Sequence, residues 1–252
     1  MSDELVHLQV DAGVATITLD SPDNRNALSA QLRRELGAHL ATALADDAVR
    51  VLVLAHTGRV FCAGMDLKEA RGGSAGEQGV NEFPALLETL WNSPKPVVAQ
   101  VAGPARAGGV GLVAACDVAV ASTAATFAFT EVRIGVVPAV ISVPVLPRVS
   151  PRAAHELMLT GEVFDAQRAV EIGLVNRAVA PEQLEDEVRR YAQMLALGAP
   201  GALAATKALL TTDIGEALRA RQAESAVHFA SDEGQEGIRA FAEKRPPSWV
   251  PA

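Results

Sequence analysis

The chain has 252 residues and a formal net charge of −8, from 30 acidic and 22 basic residues. This balance argues against general nucleic-acid binding, which needs a basic surface. Hydrophobic residues make up 49% of the chain, which allows a large core and argues against disorder. No apolar run approaches the roughly 20 residues that a membrane-spanning helix needs. We therefore expect a globular protein without nucleic-acid or membrane partners.

The N-terminus and the cysteines indicate a cytoplasmic location. Asp3 and Glu4 open the chain, and no basic segment leads into an apolar one, so no signal peptide is predicted. The two cysteines, Cys62 and Cys116, lie far apart and lack the spacing of a zinc site or a disulfide framework. We expect them to be reduced thiols of the core, and we expect no metal site.

The first third of the chain predicts strands and helices in alternation. In chain order the predicted elements are a hairpin over 5–10 and 14–19, a helix through residue 45 capped by Ser29, a strand over 49–55, a strand–glycine–helix passage over 60–68, a mobile loop over 69–79 and an amphipathic helix over 83–91.

The rest of the chain predicts more of this alternation and then helices alone. The alternating elements are a strand over 96–101, a turn over 103–109, a helix over 110–116, a strand over 117–121, an apolar segment over 139–146, helices over 151–159 and 165–172, and a strand over 174–179. Four helices follow, over 181–197, 201–210, 214–231 and 232–244. This order predicts an α/β core, assigned to residues 1–195, and an all-α segment over 196–252.

The stretch from Pro96 to Glu131 carries the first functional signal. A buried strand turns through small residues into a helix, which leaves free N–H groups at the helix start. Those donors and the helix dipole suit a negatively charged oxygen, and glycine lets a ligand approach the backbone. The pattern predicts an anion or oxyanion pocket at Gly108 and Gly109, with Glu131 nearby as an acid or base.

Four motifs then identify a resemblance. In order, they are Asp23-Asn24-Arg25-Asn26-Ala27-Leu28, Phe61-Cys62-Ala63-Gly64-Met65-Asp66-Leu67, Ala107-Gly108-Gly109 through Ala115-Cys116-Asp117, and Leu159-Thr160-Gly161 with Ala169-Val170-Glu171-Ile172-Gly173-Leu174-Val175. Together, and at this spacing, they resemble the enoyl-CoA hydratase/isomerase, or crotonase, superfamily over essentially the whole chain.

The resemblance implies a crotonase fold, in which repeated ββα units form a core and C-terminal helices associate into trimers or dimers of trimers. It implies an acyl-CoA thioester as the ligand, with coenzyme A entering as part of the substrate and no separate cofactor. By motif position, the backbone N–H groups of Met65 and Gly108 would form the oxyanion hole, which stabilises the enolate of the thioester.

The resemblance also implies a set of residues that hold coenzyme A. Basic side chains would bind its phosphates, backbone groups would border its adenine, and two residues of the first oxyanion loop would complete the contact. The basic residues are Arg25, Lys68 and Lys244. The backbone groups are those of Ala27 and Ala63, and the two loop residues are Asp66 and Leu67.

The chain departs from the family pattern at Gly111. The two-glutamate hydratases carry a catalytic glutamate there, three positions after the oxyanion donor, and a second one where this chain has Glu131. Flanking apolar residues predict that Glu131 is partly buried with a raised pKa. The signatures resemble a single-glutamate, methylglutaconyl-CoA-hydratase-like subgroup. We expect the protein to hydrate a 2-enoyl-CoA, whose acyl group could be branched or carboxylated. Double-bond isomerisation and acyl-CoA binding without turnover are the two alternatives.

Arg106, beside the oxyanion turn, has two interpretations. Its guanidinium could pair with a carboxylate of the substrate, which bidentate geometry would favour. Alternatively it could pair within the scaffold with an acidic residue such as Asp117.

Overall fold

The computed structural model describes residues 4–69 and 82–251. The predicted N-terminal hairpin and the helix after it are confirmed. Strands β1 (Val6–Asp11) and β2 (Val14–Leu19) form an antiparallel hairpin, and helix α1 (Ala30–Ala45) follows. Ser29 caps α1, because its Oγ accepts a hydrogen bond from the N–H of Leu32 at 3.3 Å. Of the predicted loop over 69–79, only Glu69 lies within the described residues.

The remaining elements up to residue 179 follow the predicted order closely. They are β3 (Val51–His56), α2 (Phe83–Trp91), β4 (Val97–Val101), β5 (Ala105–Arg106), α3 (Gly108–Ala115), β6 (Val118–Ser122), β7 (Thr126–Ala128), α4 (Ala139–Val145), α5 (Pro151–Thr160), β8 (Phe164–Asp165), α6 (Ala166–Glu171) and β9 (Arg177–Val179). A 3₁₀ helix, Glu131–Ile134, lies between β7 and α4.

A six-stranded sheet forms the centre of the fold, in the order β1-β2-β3-β4-β6-β9. All its neighbours after the first hairpin run parallel. Strands of a parallel sheet are buried on both faces, which explains the unbroken valine and leucine run of β3. One face carries the main core. The other is covered by α7 (Leu184–Ala196), whose Leu184 and Val188 pack on Val53 and Val98.

A second sheet of three short strands, in the order β5-β7-β8, lies beside the first. Here the sequence-based prediction of a turn throughout 103–109 is wrong, because Ala105 and Arg106 form β5 and pair in parallel with Phe127 and Ala128. A strand of two residues has no periodicity of its own to detect. It exists because β7 supplies its backbone hydrogen bonds.

The loop around Met65 also differs from the prediction. A helix was expected to follow the glycine at position 64, but residues 67–69 form a turn, and no helix begins there within the described chain. The backbone is held by its neighbours instead. The N–H of Leu28 donates to Gly64 O at 2.8 Å, and the N–H of Ala63 donates to Arg25 O at 3.1 Å. Burial raises the pKa of the Cys62 thiol to about 12, so it stays protonated, as expected of a core residue.

The prediction of helices alone after residue 180 is confirmed. A 3₁₀ turn over Pro181–Gln183 leads into α7, and α8 (Pro200–Leu210), α9 (Gly215–Ala230) and α10 (Asp232–Glu243) complete the chain. Phe229 of α9 and Ile238 of α10 pack on Val136, two residues after the 3₁₀ helix that carries Glu131, so the last two helices lie against this segment. Among the described residues, no helix is long and apolar enough to cross a bilayer.

Candidate active site

A cavity of about 400 Å³ opens between the two sheets' loops and the C-terminal helices. Its wall is mostly apolar. Seven of the residues singled out from the sequence line it, and they come from separate parts of the chain: Arg25, Ala63, Met65, Leu67, Arg106, Gly108 and Glu131. The structure therefore brings together the predicted oxyanion donors and the predicted acid or base in one place.

The register of the short strands explains this convergence. Cys62 bridges Ala105 in parallel, and Ala105 in turn pairs in parallel with Phe127. Met65 and Gly108 each follow their paired residue by three positions, and Glu131 follows Phe127 by four. Because parallel neighbours advance together, the three segments leave the second sheet on the same side.

The backbones of the two oxyanion loops are in close contact. A Cβ placed on Gly64, next to Met65, would lie 3.5 Å from the backbone nitrogen of Gly108. Gly108 is the first residue of α3, so no carbonyl of its own helix can accept its N–H. The following amides of Val110 and Gly111 bond to Ala107 O at 2.9 and 3.2 Å. The positive end of the α3 dipole therefore lies at the cavity.

Glu131 is the acidic group of the cavity. It opens the 3₁₀ helix after β7 and is only 8% exposed, which confirms the predicted burial. Loss of water around it raises the pKa of its carboxyl group to about 7. Its Oε2 atom has no hydrogen-bond partner among the described residues. A carboxyl group with this pKa is available both to take and to give a proton near neutral pH.

Apolar atoms occupy the space beside Gly111. A Cβ on Gly111 would lie 2.7 Å from Cγ2 of Ile141 and 3.6 Å from Cζ of Phe83. Both side chains line the cavity. The position where two-glutamate hydratases would carry their second carboxylate is therefore crowded by Ile141, with Phe83 at ordinary contact distance.

Arg106 lines the cavity, but its guanidinium is held by the scaffold. Nη1 donates to Thr126 O at 2.7 Å, and Nη2 donates to Thr126 Oγ1 at 2.9 Å. Burial lowers the pKa of this group from its usual value. The scaffold interpretation is thus supported, yet the suggested partner is wrong, because Asp117 pairs instead with Lys207 at 2.6 Å.

Comparison with known proteins places this chain in a family. A family profile described as "Enoyl-CoA hydratase/isomerase" matches residues 9–251. The chain belongs to the enoyl-CoA hydratase/isomerase family. A crystal structure described as an enoyl-CoA hydratase from Mycobacterium avium superimposes with a TM-score of 0.88 at 46% identity, covering 98% of this chain and 100% of the other. The fold is therefore the crotonase fold.

Two curated relatives show the range of activities named within the family. The carnitinyl-CoA dehydratase of Escherichia coli K12 is 36% identical over 258 residues, covering 98% of each chain. The enoyl-CoA hydratase domain-containing protein 3 of Rattus norvegicus, described as mitochondrial, is 35% identical over 247 residues, covering 94% of this chain and 81% of the other.

Other predicted coenzyme A contacts of this family member do not line the cavity. Ala27 is buried, and Lys68 is exposed on the turn after Met65. Asp66 has a structural role, because Oδ2 accepts from Asn24 Nδ2 at 2.7 Å and Oδ1 accepts from the N–H of Lys68 at 2.9 Å. Lys244 ends α10 with a left-handed backbone, φ 55°, one turn beyond the lining residue Phe241.

The motifs missed several residues of the cavity wall. They are apolar, basic or small polar residues from elements outside the four motifs, among them Phe83, Arg133, Ile141, Ser225, Phe229 and Phe241. Each looks in the sequence like an ordinary member of a helix face. Only the packing of α2, the 3₁₀ helix, α4, α9 and α10 around the loops of Met65 and Gly108 reveals that these side chains line one cavity.

Proposed function

We propose that this protein is an enoyl-CoA hydratase that acts on a 2-enoyl-CoA thioester. The observation that carries the proposal is Glu131, a buried carboxyl group with a pKa raised to about 7 and an unpartnered oxygen, in the wall of a cavity that Met65 and Gly108 also line. Catalysis beside a thioester needs a proton carrier and donors for the carbonyl oxygen. These residues meet both needs.

In the proposed mechanism, the backbone N–H groups of Met65 and Gly108 bind the thioester oxygen. Addition to the double bond puts negative charge on that oxygen, as an enolate. Donors preorganised in a site without bulk water stabilise this charge by several kcal/mol, roughly 3 for a single donor. The contact between the two loops supports this role, since it keeps both amide groups at one end of the cavity.

Glu131 would carry out both proton-transfer steps of hydration. Its carboxylate takes a proton from water while the water oxygen bonds to C3 and the double-bond electrons move to the thioester oxygen. The resulting carboxylic acid gives that proton to C2 as the enolate collapses. The sum is addition of one water molecule, and the carboxylate is regenerated. A single carboxylate therefore suffices for hydration, provided that its pKa lies near the working pH.

The substrate would carry coenzyme A as part of the thioester, with no other cofactor. Arg25, Ala63 and Leu67, which line the cavity, support binding of the carrier there. Ala27, Asp66, Lys68 and Lys244 are proposed to contact the nucleotide outside the cavity wall. Turnover of linear, branched and carboxylated enoyl-CoAs would distinguish the acyl groups that the protein accepts.

Double-bond isomerisation is the second candidate, and one observation favours it. Ile141 and Phe83 border Gly111, so apolar atoms lie where the second carboxylate of a two-glutamate hydratase would hold a water molecule. In an isomerase, Glu131 would remove a proton from C2 of a 3-enoyl-CoA and return it to C4. The same oxyanion hole would stabilise the dienolate.

We also propose that the protein forms a homotrimer, alone or as a dimer of trimers. Leu197, at the end of α7, is 89% exposed, and Leu209 and Leu210, at the end of α8, are 87% and 81% exposed. Val227 is exposed on α9. Large aliphatic side chains at this exposure suggest a surface that another copy of the chain covers. The division into a core over 1–195 and an associating segment over 196–252, like the cytoplasmic location, stays a prediction.

One experiment separates the candidate functions. Crotonyl-CoA and a 3-enoyl-CoA are each incubated with the protein in ¹⁸O-labelled water, and the products are measured by mass spectrometry. A hydratase gives a labelled 3-hydroxyacyl-CoA, whereas an isomerase converts the 3-enoyl-CoA without label. If the protein binds a panel of linear, branched and carboxylated enoyl-CoAs but converts none of them, both enzymatic functions are contradicted. The protein would then be an acyl-CoA-binding protein without turnover.

A further inference from the structure

Helix α10 lies directly against the 3₁₀ helix that carries Glu131. A Cβ on Gly237 of α10 would lie 2.7 Å from the Cα of Ile134, and closer still to its carbonyl group. Any side chain at this position would therefore push on the backbone of the 3₁₀ helix. The absence of a side chain allows the two backbones to touch.

A second glycine makes the reciprocal contact from the other side. Gly135, directly after the 3₁₀ helix, has φ 70°, and a Cβ there would lie 3.0 Å from the nitrogen of Gly234 and nearer still to the carbonyl group of Glu233. The two contacts lie about one helical turn apart on α10. Backbone-to-backbone contact at two points restrains both translation and tilt, so a movement of α10 must move the segment that carries Glu131.

Apolar packing extends this contact to the first oxyanion loop. Ile238 of α10, Phe229 of α9 and Val136 form a buried cluster, against which Leu67 and Ile134 pack. Leu67 lies two residues after Met65 and Ile134 lies three after Glu131. One small cluster therefore joins α10 to both sides of the proposed reaction centre.

The far end of α10 reaches the open side of the cavity. Phe241 lines the cavity and is 52% exposed, one turn after Gly237 and hence on the same side of the helix. Lys244 follows at the end of α10. The chain beyond it is tied back to the helix, because Arg245 donates to both carboxylate oxygens of Glu236 at 2.6 and 2.9 Å.

Given the proposed roles of Glu131 and coenzyme A, we propose that Gly135 and Gly237 are positioning residues that couple the nucleotide end of the ligand to Glu131 through α10. The nucleotide portion of coenzyme A, bound near Phe241 and Lys244, holds α10 in place. Through the glycine contacts, α10 then holds the Glu131 carboxyl group in its buried position. Thioesters that lack the nucleotide lose this restraint.

A kinetic comparison tests the coupling. Crotonyl-CoA and crotonyl-pantetheine, which lacks the nucleotide, are compared in the native protein and in the Gly237→Ala variant. We expect the variant to lower kcat for crotonyl-CoA by about tenfold or more and to change kcat for crotonyl-pantetheine little. The acidic limb of the pH profile should also move to lower pH, because a displaced Glu131 regains water. An equal fall in kcat for both thioesters would indicate general structural damage and would overturn the proposal.

The matched control is Gly201→Ala in α8, where an added Cβ has no atom within 4 Å. It makes the same helical glycine-to-alanine change without a contact and should leave the ratio of the two kcat values unchanged. Ile238→Val is the milder second variant, since it removes one methyl group from the cluster and keeps both glycines. It should shift the ratio in the same direction by a smaller factor, and it decides the question if Gly237→Ala does not fold.

Hydrogen exchange provides a readout that needs no turnover, so failure of the proposed reaction cannot be mistaken for failure of the coupling. The probe is 3′-phospho-ADP, the nucleotide portion of coenzyme A, added to the full chain. We expect it to slow exchange of the amides of residues 131–136 severalfold in the native protein but not in Gly237→Ala. Binding without slower exchange in the native protein, or no binding at all, would overturn the proposal.

Discussion

Cγ2 of Ile141 lies 2.7 Å from the position that a Cβ on Gly111 would occupy. From the sequence alone, Gly111→Glu is expected to raise hydration of simple enoyl-CoAs if the missing second carboxylate limits the reaction. The structure adds a condition, because Ile141 already fills the adjoining space. Overpacking of this kind costs about 1–3 kcal/mol of folding stability.

We therefore predict that Gly111→Glu alone is destabilised and gains no hydratase activity, whereas Gly111→Glu combined with Ile141→Ala gains it. The second substitution makes room for the carboxylate. The gain in kcat/KM for crotonyl-CoA should be about a hundredfold, the lower end of the range for a general base. Ile141→Ala alone is the control, and a gain equal to that of the double variant would show that cavity size, not the carboxylate, limits hydration.

Glu131→Gln should greatly reduce turnover while acyl-CoA binding persists. The amide keeps the shape of the side chain but cannot carry the proton, so kcat should fall by about 10²- to 10⁴-fold. Steady-state kinetics and calorimetric titration with a non-reactive acyl-CoA measure the two effects. Undiminished activity in this variant would remove Glu131 from the mechanism.

Glu131 should also make folding stability depend on pH. Its pKa is about 7 in the folded protein, raised from 4.5, so the folded state holds the proton more tightly. Its stabilising contribution is then fully present below about pH 4.5 and is lost as the pH rises through about 7. The difference between the folded and the ordinary pKa corresponds to about 3 kcal/mol of folding free energy.

Urea unfolding across this pH range measures the effect. The native protein should lose stability relative to Glu131→Gln between about pH 5 and pH 8, since the amide has no proton to lose. Parallel pH dependences for the two proteins would mean that Glu131 titrates normally.

Lys207→Met should destabilise the fold by about 3 kcal/mol or more. The Lys207 ammonium is buried and pairs with Asp117 at 2.6 Å, and Asp117 Oδ2 also accepts from the N–H of Val97 at 2.8 Å. Removing the cation leaves a partly buried carboxylate without its main partner. Arg189→Met is the control, because its pairs with Glu185 and Asp186 are exposed, and it should cost less than about 1 kcal/mol in chemical unfolding.

The proposed trimer predicts that acidic residues at the exposed leucines disrupt assembly. Light scattering of the native protein should give the mass of three or six chains. Leu209→Asp with Leu210→Asp should yield a smaller species, because both side chains are almost fully exposed on α8 and a subunit interface would bury their charges. A native mass of one chain would contradict the trimer.

The sequence by itself determined the order of the main elements, the family and the chemistry to expect. Local signals were sufficient for this. Ser29 caps α1, Asp165 caps α6 by accepting from the N–H of Arg168 at 2.7 Å, and α5 ends at Gly161 with φ 62°. Each signal acts within a few residues, and a helix boundary depends on such short-range hydrogen bonds and backbone freedom.

Only the tertiary structure decided what surrounds the site. Four features join residues that are distant in the chain. They are the pairing of the two-residue strand β5 with β7, the hydrogen bonds from Arg106 to Thr126, the contact of Ile141 with Gly111, and the contact of Gly237 with Ile134. No local pattern specifies such a pair, because its energy depends on where two separately formed elements meet. The cavity wall, unlike the helices that carry it, is therefore a property of packing.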